Sequence, residues 1–423
     1  MPLLSDPLAL PCGAILSNRL AKSAMTEGLA DPHGRATRRH QELYGRWARS
    51  GAGLLITGNV QVDRGALERP GNIRIEGPQS AAALAGLRAM AAAGTSGGNH
   101  LWAQIAHAGR QADPRVCAQP LAPSAVPLEV PGFPSHPRAM TEQQILDVIG
   151  KFAHAAQVLR DCGFTGVQVH GAHGYLVSQF LSPLANRRDD DWGGPLENRA
   201  RFLLEVLRAI RASVGDDFPV AVKLNSADFQ HGGFSHEECL QVIRLLNHET
   251  VDLLEITGGT YEKPSFFGVG RSSPVMRRQS TRLREAYFAT YAAAVREVAT
   301  VPVMATGGFR SGEAIRAAVG DGTCDVVGVA RPMCVIPDAP QRLLDADTDR
   351  LPTPFDDLRL SDDTRAGLTK EEAEAAEKVG QRNWLYMLIF DLADGEDPRV
   401  DRQLGEALRD CAAREEQTAE ALI

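Results

Sequence analysis

Eight short and almost unbroken apolar runs recur along the chain: RLAKSAM, GLLITGNV, LWAQIAH, GVQVHGAH, PVAVKLN, LLEITGG, PVMATGG and VVGVARP. A strand that alternates polar and apolar residues can wet one face. A run without alternation must be covered on both faces, which is the condition of a parallel sheet flanked by helices. The segments SAAALAGLRAMAAAG, TEQQILDVIGKFAHAAQVLRDCG, LENRARFLLEVLRAIRASVG, SHEECLQVIRLLNHET and LREAYFATYAAAVREVA lie between these runs with helical spacing. Eight β-then-α units in succession predict an α/β fold, a TIM (β/α)8 barrel. A doubly wound open sheet is the competing arrangement, but no G-x-G-x-x-G follows the first strand.

Three stretches fall outside this alternation. Leu8 to Leu16, with Pro11-Cys12-Gly13 at its centre, predicts an N-terminal hairpin capping the bottom of the barrel. Residues 110–140 are rich in proline and predict a long irregular excursion after the third strand; loops of such length are usually functional lids or disordered. From about Pro352 the composition turns to Asp, Glu, Ala and Arg, and two helices are expected at roughly 369–392 and 397–421. Thr369 and Glu372 fit a capping box at the start of the first. The expected division is a barrel over residues 1–350 and a C-terminal helical extension over 351–423. The apolar end of the first tail helix, Trp384 to Leu392, is too short to span a membrane. It has two outlets, packing on the barrel or contact with another subunit in a homo-oligomer.

Composition narrows the function class. A chain of 423 residues with 43% hydrophobic residues buries a large core. A net charge of -8 offers no basic footprint for nucleic acid or an anionic membrane. No run of 18 apolar residues predicts a transmembrane helix. The start, MPLLSDPLALPCG, lacks the basic region and apolar core of a secretory signal. Seven cysteines without a C-x-x-C pair fit reduced, mostly buried thiols, so a cytoplasmic location is expected.

Chemistry concentrates in the fourth unit, Gly163 to Phe202. Its strand breaks into His170, His173 and Tyr175 before a helix, three hydrogen-bond donors suited to gripping a carbonyl oxygen and delivering a proton beside it. The plainer reading is a pair of core histidines satisfied by their neighbours. A metal site needs a third ligand and supporting partners; Glu255 and Asp228 end other strands, but nothing in their spacing singles out a metal, so none is expected. At the seventh and eighth strands, Gly307-Gly308 opens backbone N–H groups to an anion and Arg331 adds a guanidinium, the pattern of a barrel phosphate site. The competing reading of Gly307-Gly308 is a tight turn. Lys22 and Lys223 also admit a Schiff-base aldolase barrel, which leaves Gln104 and the His/His/Tyr group unused.

The stretch HGAHGYLVSQFLSPLANRRDDDWGGPLENRARF resembles the signature of the Old Yellow Enzyme family of FMN-dependent ene-reductases, also called NADH:flavin oxidoreductases. The likeness extends over about residues 3–345 and includes NRLAKSAMTE, AQIAHAGRQ, and GGF with ARP. The family fold is a TIM barrel, in agreement with the strand pattern.

The resemblance implies bound FMN, NADH or NADPH as a transient hydride donor, and a small α,β-unsaturated carbonyl substrate. It implies that Ser23, Ala24, Met25 and Thr26 line the flavin, with the Thr26 hydroxyl addressing O4. Gly58 would pass under the ring, Gln104 would bind the pyrimidine edge, and Lys223 would stand near N1 and O2. Gly307, Gly308, Ala330 and Arg331 would hold the phosphate. His170 and His173 would bind the substrate carbonyl and stabilise the enolate, and Tyr175 would protonate the α-carbon.

Three positions depart from the family pattern. Lys223 stands where many members have Arg, replacing a planar fork by a point charge. Glu27-Gly28 stands where some relatives place an aromatic substrate contact, which predicts a more open or acidic pocket. Trp192 replaces a common tyrosine, with a consequence for packing only.

The expected activity is ping-pong reduction of activated C=C bonds by NAD(P)H through flavin N5. Flavin-dependent demethylation or dehydrogenation on the same scaffold is an alternative, as is a flavin redox or sensor barrel without such turnover. The pocket walls are expected in loops 110–140 and 260–280, with Phe266 and Phe267 as apolar candidates.

Overall fold

In the computed structural model, residues 1–128, 134–259 and 291–423 are described. The strands are β1 Leu20–Lys22, β2 Leu54–Gln61, β3 His100–Ala106, β4 Gly166–Gly171, β5 Val220–Asn225, β6 Leu253–Thr257, β7 Val303–Thr306 and β8 Val326–Val329. They are parallel, neighbours in chain order are paired, and β8 pairs with β1 through Val327 and Leu20. That last pairing closes the sheet into a barrel and rules out the open doubly wound arrangement.

The apolar runs have no polar alternation because both faces are covered. Inward-facing Ala21, Leu54, Ile56, Trp102, Ala221, Leu253, Met304 and Val326 fill the barrel with Leu10 and Leu16 of the hairpin. That hairpin pairs Leu8–Ala9 with Ile15–Leu16, and Asp252 Oδ1 accepts the Cys12 N–H at 2.9 Å. Outward residues such as Leu20, Leu55 and Leu101 meet the surrounding helices. These include α1 Arg38–Ala48, α2 Ala81–Gly94, α3 Glu142–Asp161, α4 Leu196–Val214, α5 His236–Leu246 and α6 Gly312–Gly320. Thr141 with Gln144, and Ser235 with Glu238, form capping boxes that start α3 and α5. α1 and α6 are not among the segments that apolar spacing singles out. The helix expected over LREAYFATYAAAVREVA is described from Tyr291 onward.

The excursion at 110–140 is tied at its base, where Leu121–Ala122 pairs with Arg138–Ala139. The tail forms α7 Lys370–Ala393, capped by Thr369 and Glu372, and α8 Leu404–Glu420. The second helix therefore starts at 404 rather than 397. Pro398 interrupts the chain there, and Asp391 holds the intervening loop by accepting from Arg399 N–H and Arg402 Nη2. Trp384, Leu388 and Leu392 are fully enclosed, so this apolar face is spent within the chain. Arg39 and Arg46 of α1 pair with Asp394 and Asp397, fastening the extension to the barrel's outer ring. Among the described residues, no helix is long and apolar enough to cross a membrane.

Candidate active site

β4 ends in His170-Gly171, and the chain then turns through His173 and Gly174, both with positive φ (61° and 79°). A non-glycine residue in that region stores about 1–3 kcal/mol, which the surroundings must offset. They do so from two strands. His173 N–H donates to Asn225 Oδ1 at 3.2 Å, Asn225 Nδ2 donates to Asp228 Oδ1 at 2.9 Å, and His173 Nε2 lies 3.2 Å from Thr257 Oγ1. The turn brings the His173 ring to 5.2 Å from His170, and the Tyr175 ring to 4.8 Å from His170 on another side. Tyr175 packs on Ala108 and Ala112.

The protonation states follow from this enclosure. Burial, then His173 and the Lys223 ammonium, hold His170 well below the usual imidazole range. Burial and Lys223 lower His173 to about 3. Both rings are neutral near pH 7, and each then carries one N–H. For His170 the backbone selects which nitrogen: Ala172 N–H donates to Nδ1 at 3.2 Å, which leaves the proton on Nε2.

Beneath this trio runs a polar ladder across four strands. Gln104 Nε2 donates to Gln168 Oε1 at 2.7 Å, and Gln168 Nε2 donates to Glu255 Oε2 at 2.7 Å. Lys223 Nζ stands 2.9 Å from Glu255 Oε1. Gln168 escapes a reading that looks for known patterns, and Glu255 enters it only as a carboxylate weighed for a metal. Their signal is a polar residue in the middle of a wholly apolar strand, in GVQVHG and LLEIT.

At β1, inward and outward positions alternate. Ser23 turns inward, its Oγ 2.8 Å from Thr306 Oγ1. Lys22 turns outward and is enclosed under α1, with Nζ donating to the Ile56 carbonyl at 2.7 Å and lying 4.4 Å from the Trp47 ring centre. Lys22 therefore does not reach the barrel mouth, which removes it as an aldolase nucleophile.

Ala24 packs on the barrel-filling cluster and Met25 against Cys334, with sulfurs 3.7 Å apart. Thr26 Oγ1 donates to Glu68, 3.0 Å from Oε1 and 2.8 Å from Oε2, and Asn59 Nδ2 donates to Oε2 at 2.5 Å. Glu27 is only 5% exposed and accepts from the Tyr44 hydroxyl and, at 2.8 Å, from Gly58 N–H. The expectation of a more acidic pocket is corrected: this carboxylate faces α1, where it finds donors, and not the pocket. A side chain at Gly58 would overlap Glu27, the Met25 carbonyl and Thr26, so the close approach of two backbones requires glycine there. Trp192 lies in the core, with Asn186 Nδ2 donating to its carbonyl.

Past β7 and β8, Thr306, Gly307, Arg310, Gly328, Ala330 and Arg331 line a cavity of about 50 Å³. Gly307 and Gly308 both have positive φ (114° and 80°). Arg310, just before the cap Ser311 of α6, adds a second guanidinium that its place after GGF could have signalled. Two guanidinium groups and a glycine turn at the C-terminal ends of these strands suit a phosphate. Gln104 and Lys223 stand at the two ends of the inward polar ladder through Gln168 and Glu255, and together with this anion pocket the donor set fits a flavin mononucleotide. Glu255 is paired with Lys223 and Asp228 with Asn225, which accounts for both carboxylates without a metal. Loop 260–280, with Phe266 and Phe267, lies outside the described residues.

The model of the NADH:flavin oxidoreductase / NADH oxidase family matches residues 4–348. The chain is 36% identical over 353 residues to the NADH-dependent flavin oxidoreductase iliE of Neonectria sp. (strain DH2), covering 79% of this chain and 46% of that protein. It thus spans about half the length of that relative. It is 37% identical over 363 residues to the NADH-dependent flavin oxidoreductase iccE of Talaromyces variabilis, covering 81% of this chain and 86% of that one. The fold matches a solved Old Yellow Enzyme homologue from Zymomonas mobilis with a TM-score of 0.68 at 23% identity, covering 88% of this chain and 99% of the other.

Proposed function

The chain belongs to the NADH:flavin oxidoreductase / NADH oxidase family, and from that premise we propose that it reduces activated C=C bonds of small α,β-unsaturated carbonyl compounds. Family membership carries the cofactor pair: FMN as the bound group and NADH or NADPH as the reductant. Bound FMN would supply the hydride that adds to the β-carbon of the substrate.

In this reading Ser23, Ala24, Met25, Thr26, Gly58, Gln104 and Lys223 surround the flavin ring, and Gly307, Gly308, Ala330 and Arg331, joined by Arg310, hold its phosphate. His170 and His173 donate N–H groups to the substrate carbonyl. Negative charge grows on that oxygen as the β-carbon receives hydride, and fixed donors favour this state over the ground state. Tyr175 then gives its phenolic proton to the α-carbon, and solvent reprotonates the phenolate. The observation that carries the proposal is the convergence of two neutral imidazoles and a phenol, rings 5.2 and 4.8 Å apart, where β4 ends.

We place the barrel at residues 1–350 and the extension at 351–423. A cytoplasmic setting is supported by seven cysteines that all stand free, five of them buried.

The test is direct. Purified protein should be yellow, release FMN on denaturation, bleach anaerobically with NADH or NADPH, and regain colour with cyclohexenone. Colourless protein that takes up no FMN would refute the cofactor assignment. Bleached protein that oxygen reoxidises but cyclohexenone does not would refute ene reduction and favour the redox or sensor alternative.

A further inference from the structure

A threonine hydroxyl has one proton to give, and at Thr26 the recipient is visible. Both Glu68 oxygens lie within reach of Oγ1, at 3.0 and 2.8 Å, and Asn59 Nδ2 donates to the same carboxylate at 2.5 Å. The next residue is pinned. Arg69 is 5% exposed, stacks with its guanidinium carbon 3.8 Å from the Tyr386 ring centre, and pairs with Glu415 at 2.7 Å. Tyr386 and Glu415 belong to α7 and α8, so the C-terminal extension holds the segment that presents Glu68.

We propose that Glu68 is a positioning residue that accepts the Thr26 hydroxyl hydrogen bond, so that Thr26 has no hydrogen left to donate to the cofactor. This rests on the reading of Thr26 as a flavin-lining residue and revises its role. A hydroxyl donates once and accepts at two lone pairs. With that hydrogen bond given to Glu68, it cannot also donate to a flavin carbonyl. A donor on a carbonyl that gains electron density favours reduction. Withholding that donor keeps the bound flavin a stronger reductant than Thr26 alone would allow.

The closing experiment measures the oxidised-to-reduced equilibrium of the FMN-loaded protein by spectroelectrochemistry. The variants are Glu68→Ala, Glu68→Gln, Thr26→Val and the double variant Thr26→Val/Glu68→Ala. Glu68→Ala frees the hydroxyl and is expected to favour the reduced form about tenfold, about 30 mV for a two-electron couple. Most of that shift should vanish in the Thr26→Val background. Glu68→Gln keeps a carbonyl acceptor and should shift far less than Glu68→Ala.

A shift of equal size in both Thr26 backgrounds, or equal shifts in the Gln and Ala variants, would mean the charge acts directly and would overturn the proposal. Should Glu68→Ala not fold, Thr26→Val decides alone, because it keeps the side-chain shape. It is expected to leave the equilibrium nearly unchanged; a tenfold shift toward the oxidised form would show that the hydroxyl already donates to the flavin, and overturn the proposal. Wild-type protein that takes up no FMN overturns the cofactor reading and this proposal together. Wild type that holds FMN while Glu68→Ala shifts nothing overturns this proposal alone.

Discussion

Lys223 and Glu255 form an ion pair inside the barrel, Nζ to Oε1 at 2.9 Å, with side chains 4% and 0% exposed. The two residues sit opposite one another in the β5–β6 register, so the pairing is built into the sheet. The ammonium that the flavin reading places near N1 and O2 therefore comes with its own counter-charge. Breaking a buried pair by removing one partner typically costs about 3–5 kcal/mol, because the remaining charge stays buried. Glu255→Leu is expected to lose stability in that range by urea denaturation. Lys223→Met/Glu255→Leu should recover part of it, and a single variant as stable as wild type would contradict the pairing.

Acid stability should be set by buried histidines. Burial lowers His40 and His107 to about 4 and, with Lys223, His173 to about 3. The unfolded chain keeps values near 6.5, so below that pH it binds protons that the folded protein refuses. Stability from these groups is complete above about pH 6.5 and is lost as pH falls toward the folded values, by up to ~1.4 kcal/mol per pH unit for each histidine. Urea midpoints should be level between about pH 7 and pH 8 and fall steadily from about pH 6 to pH 4. A flat profile across the acid range would contradict the buried neutral assignment.

Tyr175→Phe is expected to slow oxidation of the reduced flavin by an enone by about 10²–10⁴-fold, the usual range for losing a positioned proton donor. Reduction of the flavin by NAD(P)H should stay close to wild type in stopped-flow traces. Equal losses in both half-reactions would remove Tyr175 as the proton donor.

Thr257 touches His173 and comes from β6, two residues beyond Glu255. Thr257→Val keeps the shape and removes one hydrogen bond, a loss of about 1 kcal/mol or roughly fivefold in rate. The loss should fall on the enone half-reaction alone, read as in the preceding experiment. An unchanged rate would show that Asn225 and the turn suffice to aim the ring.

Removing the extension at Pro352 should leave apolar surface on α1 bare, since α7 packs against α1 and Phe390 lies under Arg39. The truncated protein is expected to bind a hydrophobic dye and to melt at lower temperature than the full chain. An unchanged melting temperature would make the extension an accessory with no share in barrel stability.

The barrel could be read from the chain because its cause is local. A run without polar alternation must be covered on both faces, and five of the covering helices show their own apolar spacing between the runs. The His170, His173 and Tyr175 trio was legible for a similar reason: polar groups ending an apolar strand stand out within six residues. The tail's capping box at Thr369 was equally local, whereas the start of α8 was not, since it depends on Asp391 holding the preceding loop.

What only the tertiary structure decided is direction and company. Lys22 and Lys223 are both strand-borne lysines in apolar settings, yet one lies under α1 and the other faces Glu255 inside the barrel. Glu27 and Glu68 flank the same site, yet the first is claimed by Tyr44 and Gly58 and the second by Thr26 and Asn59. A side chain's type and its strand are properties of the chain. Whether its charge meets a partner depends on which residues barrel closure carries to it from distant positions, and a buried charge or hydroxyl settles where that partner is.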